Sequence, residues 1–89
     1  MKGIVTVLGR DSVGIIAKIC AYLSERNSNV LDISQTIVGG YFNMMMIVDL
    51  SDSSEPIAMM ASGLETIGRD IGVLVKLQHE DIFNAMHRI

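Results

Sequence analysis

The chain has 89 residues, enough for one domain, with seven basic and ten acidic side chains and a formal net charge of -3. Its basic residues are scattered singly and it has no tryptophan, which argues against direct nucleic-acid binding. Its longest uninterrupted apolar runs, 44–48 among them, are far short of the roughly 18–20 residues a membrane-spanning helix needs, and no secretory leader pattern is present.

Hydrophobic residues nevertheless make up 49% of the sequence, and the mean hydropathy is +0.41. A chain this short buries only about 60–65% of its unfolded surface, so its own core cannot absorb that much apolar area. A second copy is the expected outlet, since homodimers are the commonest closed assembly. Cys20 is the single cysteine, so no intrachain disulfide can form. Its place on an apolar helical stripe reads as a small buried hydrophobe, and the lack of a disulfide framework fits a reducing cytoplasm.

In chain order, residues 3–8 alternate as a strand, with Val5 and Val7 on one side and Ile4, Thr6 and Leu8 on the other. A corner follows, in which Asp11 or Ser12 is expected to cap the next helix. There Ile15, Ile16, Ile19, Cys20 and Leu23 fall at helical spacing, opposite Lys18, Ala21 and Glu25. Asn27 stands where this helix should stop, asparagine being the best non-glycine residue for a left-handed end. Over 30–38 the period becomes two, with Leu31, Ile33 and Ile37 on one face and Asp32, Ser34 and Thr36 on the other. Gly39 and Gly40 then read as a hairpin turn.

The next run, 41–50, is apolar on both faces, as in a strand covered on both sides. Met44 and Met46 share a face that Met45 does not, so these methionines read as packing rather than metal or oxidation chemistry. After a loop over 51–56, Ile57, Met60, Ala61, Leu64 and Ile67 form a second helical stripe, with Glu65 and Arg69 as an exposed pair one turn apart. Gly72 ends that helix, and Val73, Val75 and Leu77 alternate with Leu74, Lys76 and Gln78 in a last strand. Residues 80–89 place Ile82, Phe83, Met86 and Ile89 on one helical face, which must dock because so short a helix does not persist alone.

The order strand, helix, strand, strand, helix, strand predicts an α+β, ferredoxin-like βαββαβ sandwich. Right-handed crossovers put both helices on one face of a four-stranded antiparallel sheet, with a short C-terminal helix added. The chain divides into a core over 1–79 and a helical tail over 80–89. The other sheet face would carry Thr6, Asp32, Ser34, Thr36, Asn43, Met45, Ile47, Leu74 and Lys76. That face suits a dimer contact or the tail folding across it.

Gly9, Asp11, Gly14, Ile15, Ile16 and Ala17, followed by Leu23, Asn27, Asn29 and Val30, resemble the signature of the ACT domain. The whole chain looks like the small stand-alone ACT proteins of bacteria and archaea, and is similar to the ACT modules of glycine-cleavage-system repressors. It departs at Val13, where many ACT domains have proline, and at Asn27, where they usually have glycine; both residues can adopt the conformations required. The resemblance implies a regulatory module that binds an amino acid at a homodimer interface. The ligand would lie between the first loop of one subunit, Asp11, Ser12, Val13, Gly14 and Ile15, and the second strand of its neighbour, Asn29, Val30, Leu31 and Asp32. The backbone N–H groups of Gly14 and Ile15 can hold an α-carboxylate, and Asn29 or Asp32 an α-amino group. The plainer alternative is that Asp11 and Ser12 only cap the helix and Gly14 only permits close packing.

His79, Glu80 and His87 lack the spacing of a metal site, and Asp49 and Asp52 lack an EF-hand pattern. No Ser-His-Asp order, phosphate loop or dinucleotide fingerprint occurs. The expectation is therefore a cytoplasmic, non-enzymatic sensor without cofactor or metal, signalling to a partner protein. The alternative is a ligand-free module that docks on a metabolic enzyme or regulator.

Overall fold

The computed structural model describes residues 1–10 and 13–86. In chain order these form β1 (Lys2–Arg10), α1 (Ile15–Glu25), β2 (Asn29–Val38), β3 (Tyr41–Asp49), α2 (Ile57–Ile71), β4 (Val73–His79) and α3 (Glu80–Met86). The four strands make one sheet in the order β2-β3-β1-β4, antiparallel throughout. The ferredoxin-like βαββαβ topology with its added C-terminal helix is thus confirmed.

The core lies between one face of this sheet and the two longer helices. Register puts Val5 opposite Met46 and Leu77, and Val7 opposite Met44 and Val75, so these side chains share a face. They pack in one cluster with Ile15, Ile19 and Leu23 of α1 and Met60 and Leu64 of α2. Burying each large aliphatic side chain contributes about 1.5–3 kcal/mol before chain entropy is counted. Asn27 has φ 60, and the amide of Ser28 reaches back to Leu23 O at 2.9 Å while that of Asn27 reaches Ser24 O at 3.0 Å. These two bonds make a Schellman ending, which satisfies carbonyls the helix would otherwise leave open. Gly72, with φ 80, ends α2 as its sequence position predicts.

Several local expectations change. Helix α1 begins at Ile15 with Gly14 at its N-cap position, and the capping expected of Asp11 or Ser12 falls on residues that are not described. His87 and Ile89 also lie outside the described residues. Arg69 donates to Thr66 Oγ1 at 3.2 Å instead of pairing with Glu65. Tyr22, absent from the predicted stripe, is buried. Its hydroxyl sits where a Cβ on Gly63 would be, so the missing side chain of one helix makes room for the ring of the other.

The open face has the predicted composition: Thr6 pairs with Met45 and Lys76, and Leu8 with Asn43 and Leu74. Part of it is covered. Ile4 lies on that face yet is only 5% exposed, and α3 contacts β1 and β4 at the same end. Phe83 is half-buried while Ile82 stays exposed, so the tail does not bury the single stripe its spacing predicted. The register breaks between Val30 and Asp32, leaving Leu31 as a bulge rather than on one face with Ile33 and Ile37. β2 lies at the sheet edge with every residue but Val30 exposed, including Leu31, Ile33, Ile37 and Val38.

Candidate functional site

The corner between β1 and α1 starts at Arg10, whose guanidinium lies 5.8 Å from the centroid of the Tyr41 ring. Val13 is fully exposed, the only apolar side chain the described part of the corner offers to a neighbour. Gly14 holds φ 88, and a Cβ there would meet none of the described residues within 4 Å. Its glycine is thus required by backbone conformation, not by crowding from those residues. Ile15 is 2% exposed. Its side chain belongs to the core, so what it can offer a neighbour is its backbone N–H, one of the first helical amides that lack an intrahelical acceptor. Together with the positive end of the helix dipole, these amides favour a carboxylate.

The strand half of the predicted site lies elsewhere. Asn29 is exposed and pairs with Asp49, Leu31 forms the bulge, and Asp32 pairs with Ile47. One oxygen of Asp32 accepts the Ile33 N–H at 2.8 Å, leaving the other for a ligand. Val30 packs at the margin of the core and presents little side chain. Through β3, Asn29 is level with Lys2 at the start of β1, whereas Val38 is level with Arg10 at its end. Eight residues of extended chain separate those levels, about 26 Å. Within one protomer the corner and residues 29–32 are therefore at opposite ends of the sheet and do not meet.

Beside Asn29 lies a polar recess of about 340 Å³ that also includes Ser24, Asn27 and Asp52. Asn27 Nδ2 donates to Asp52 O at 3.0 Å and ties the helix end to the β3–α2 loop. Asp52 carries no sequence signal for this role, because it reaches Asn27 only through the fold. At the same end, Asp49 has its pKa lowered, first by the Ser51 backbone N–H and then by the Ser51 hydroxyl, with help from the N-terminal ammonium and Lys2. This end of β2 therefore holds an ionised carboxylate beside exposed amide side chains. Among the described residues no three His, Cys, Asp or Glu side chains gather as a metal site requires.

These features define a small βαββαβ module with an open helix start at one end of its sheet and a polar strand start at the other. The ACT domain family model matches residues 3–78, and the chain belongs to the ACT domain family. It is 58% identical to a UPF0237 protein of Bifidobacterium longum, over 99% of this chain and 98% of that one. A UPF0237 protein of Methanocaldococcus jannaschii is 49% identical, over 97% and 96%. Among solved structures, an ACT domain protein from Streptococcus pneumoniae superposes with a TM-score of 0.82 at 37% identity, covering 98% of both chains. A likeness of fold alone links the chain to a candidate glycine cleavage system transcriptional repressor, at TM-score 0.73, 19% identity and 89% of this chain against 47% of that one. The same holds for the regulatory subunit of aspartate kinase from Thermus thermophilus, at TM-score 0.67, 24% identity, and 89% against 51%.

Proposed function

We propose that this protein is a cytoplasmic regulatory module that works as a homodimer, binds an amino acid between its two copies and passes that state to a partner protein. The observation that carries the reading is the separation of the two site halves within one protomer, together with an edge strand that is exposed almost throughout. A second β2 laid antiparallel to the first about a twofold axis sets residues 29–32 of one copy beside the Val38 end of the other. That is the end from which the partner's corner departs. Membership of the ACT family supports the regulatory role, and the neighbours named as a repressor and a regulatory subunit agree with it.

In this reading the ligand carboxylate sits on the N–H groups of Gly14 and Ile15, framed by Asp11, Ser12 and Val13. Asn29 and Asp32 of the other copy take the α-amino group, beside Val30 and Leu31. A ligand that bridges two subunits binds one dimer geometry better than another and shifts the population toward it. The residues act by binding alone, with no catalytic group, metal or cofactor. Thermal unfolding against a panel of the twenty amino acids tests this directly. Ligand at 100 times its dissociation constant stabilises the fold by about 2.7 kcal/mol. No stabilisation by any of the twenty would point instead to a ligand-free docking module.

A further inference from the structure

The helix layer carries a feature that the dimer reading leaves unused. A groove of about 320 Å³ runs between α1 and α2 on the side away from the sheet. β1 and β3 are antiparallel, so the helices that follow them also run in opposite directions. Tyr22 lies against Gly63; one turn earlier in α1 and one turn later in α2, Lys18 comes level with Ile67, and Asp70 lies nearly a turn beyond. The α1 wall of the groove carries Lys18 and, farther along, the charged pair Glu25 and Arg26, and the α2 wall carries Asp70, with Ala21, Ile67 and Ile71 between Lys18 and Asp70.

The charges are not equivalent in what they already do. Arg26, at the far end, pairs with Glu55 and with Glu25, and its guanidinium stacks 3.6 Å from the centroid of the Tyr22 ring. The side chains of Lys18 and Asp70 have no hydrogen-bond or ion-pair partner among the described residues, although both line the groove. Two unpaired opposite charges flanking an apolar floor complement a molecule that carries both charges and an apolar group. The volume falls at the small end of the range of about 300–1,000 Å³ in which small-ligand pockets occur.

We propose that the groove between α1 and α2 is a second small-molecule site, which takes a zwitterion with an apolar side chain, its carboxylate toward Lys18 and its ammonium toward Asp70. This site is independent of the corner and of β2, and it lies on a face that pairing along β2 leaves open. A regulator with one site at the subunit contact and another on the helix layer can read two concentrations at once.

The experiment is an amide NMR titration of the intact protein with L-leucine, L-methionine and L-phenylalanine. The controls are 3-methylbutylamine and 4-methylpentanoate, which keep the leucine side chain but lack its carboxylate or its ammonium. Saturable shifts at Lys18, Ala21, Ile67, Asp70 and Ile71 with an amino acid, and none there with either control, are the expected result. Lys18→Gln and Asp70→Asn, both surface changes whose folding the same spectra verify, should each weaken that binding about tenfold or more. Shifts confined to residues 13–15 and 29–32 overturn the groove site and leave the subunit-contact reading standing. Shifts at the groove alone do the reverse. Equal shifts with the amine or the acid alone overturn the zwitterion assignment, as does silence at the groove with all three amino acids.

Discussion

Ile37→Ser tests the use of β2 as the contact between copies. Ile37 is 58% exposed at the sheet edge, pairing with Phe42 on the one side where it has a neighbour. Full burial of an isoleucine contributes about 1.5–3 kcal/mol, so the 58% still open corresponds to about 0.9–1.7 kcal/mol once a partner covers it. Twofold symmetry counts that loss twice, so the variant dimer should be weaker by about 2–3.5 kcal/mol, roughly a 30- to 400-fold rise in Kd. Sedimentation equilibrium over a concentration series measures it, with circular dichroism confirming that the protomer still folds. Leu74→Ser is the control, because Leu74 is similarly exposed at 54% but lies on the opposite edge strand and on the open face. A dimer that is indifferent to Ile37→Ser but dissociated by Leu74→Ser would refute edge pairing in favour of contact between open faces. A wild-type protein that stays monomeric would refute both.

Gly68→Ala should destabilise the fold, because a Cβ there would lie 2.6 Å from the Val73 carbonyl oxygen, a backbone atom that cannot swing away. Overpacking of about 1–3 kcal/mol, offset by about 1 kcal/mol of helix propensity, leaves a net loss near 1 kcal/mol in urea unfolding; an unchanged midpoint would contradict the packing described. Asn27→Ala should cost about 1 kcal/mol by placing a Cβ-bearing residue without a local hydrogen bond at positive φ, while Asn27→Gly should stay within a few tenths of wild type. If urea unfolding ranks alanine above glycine at this position, the left-handed ending is not what selects the residue. Asp49 has a pKa below its usual value, so its ionised form favours the folded state. That contribution is complete above the unfolded carboxyl value of about 3.9 and fades as pH falls through the lowered folded value. Ser51→Ala removes the hydroxyl but keeps the backbone N–H, and a carboxyl NMR titration should show the Asp49 pKa move part of the way up.

The fold was legible because its local signals agree with one another. Alternation in 3–8 and 73–78, helical stripes through Ile19 and Leu64, the left-handed Asn27 and the Gly39-Gly40 turn each specify one element. What the pattern concealed depends on contacts distant in sequence. Tyr22 is buried only because Gly63, on another helix, leaves space for its ring. The bulge at Leu31 inserts a residue without altering composition, so a period of two cannot reveal it. Gly14 looks like a site for close approach in the sequence, and the fold shows it instead as a backbone requirement. The candidate site was half legible: the residues at each end follow from the motif, but their separation follows from strand length and register. Asp52 joined the strand half only through its contact with Asn27.

The central claim is that neither copy holds a complete site, and mixed dimers test it most directly. Gly14→Leu breaks the corner half, and Asn29→Ala with Asp32→Ala breaks the strand half. With the groove between α1 and α2 disabled throughout by Lys18→Gln, each variant alone should form dimers that bind no amino acid by calorimetry. When the two are unfolded together and refolded at equal ratio, half the dimers carry one of each, and each of those restores one intact site. Binding should return at wild-type affinity with about one quarter of the wild-type capacity. A mixture as silent as its two components would place both halves of the site within one chain, or the site elsewhere, and would contradict the account.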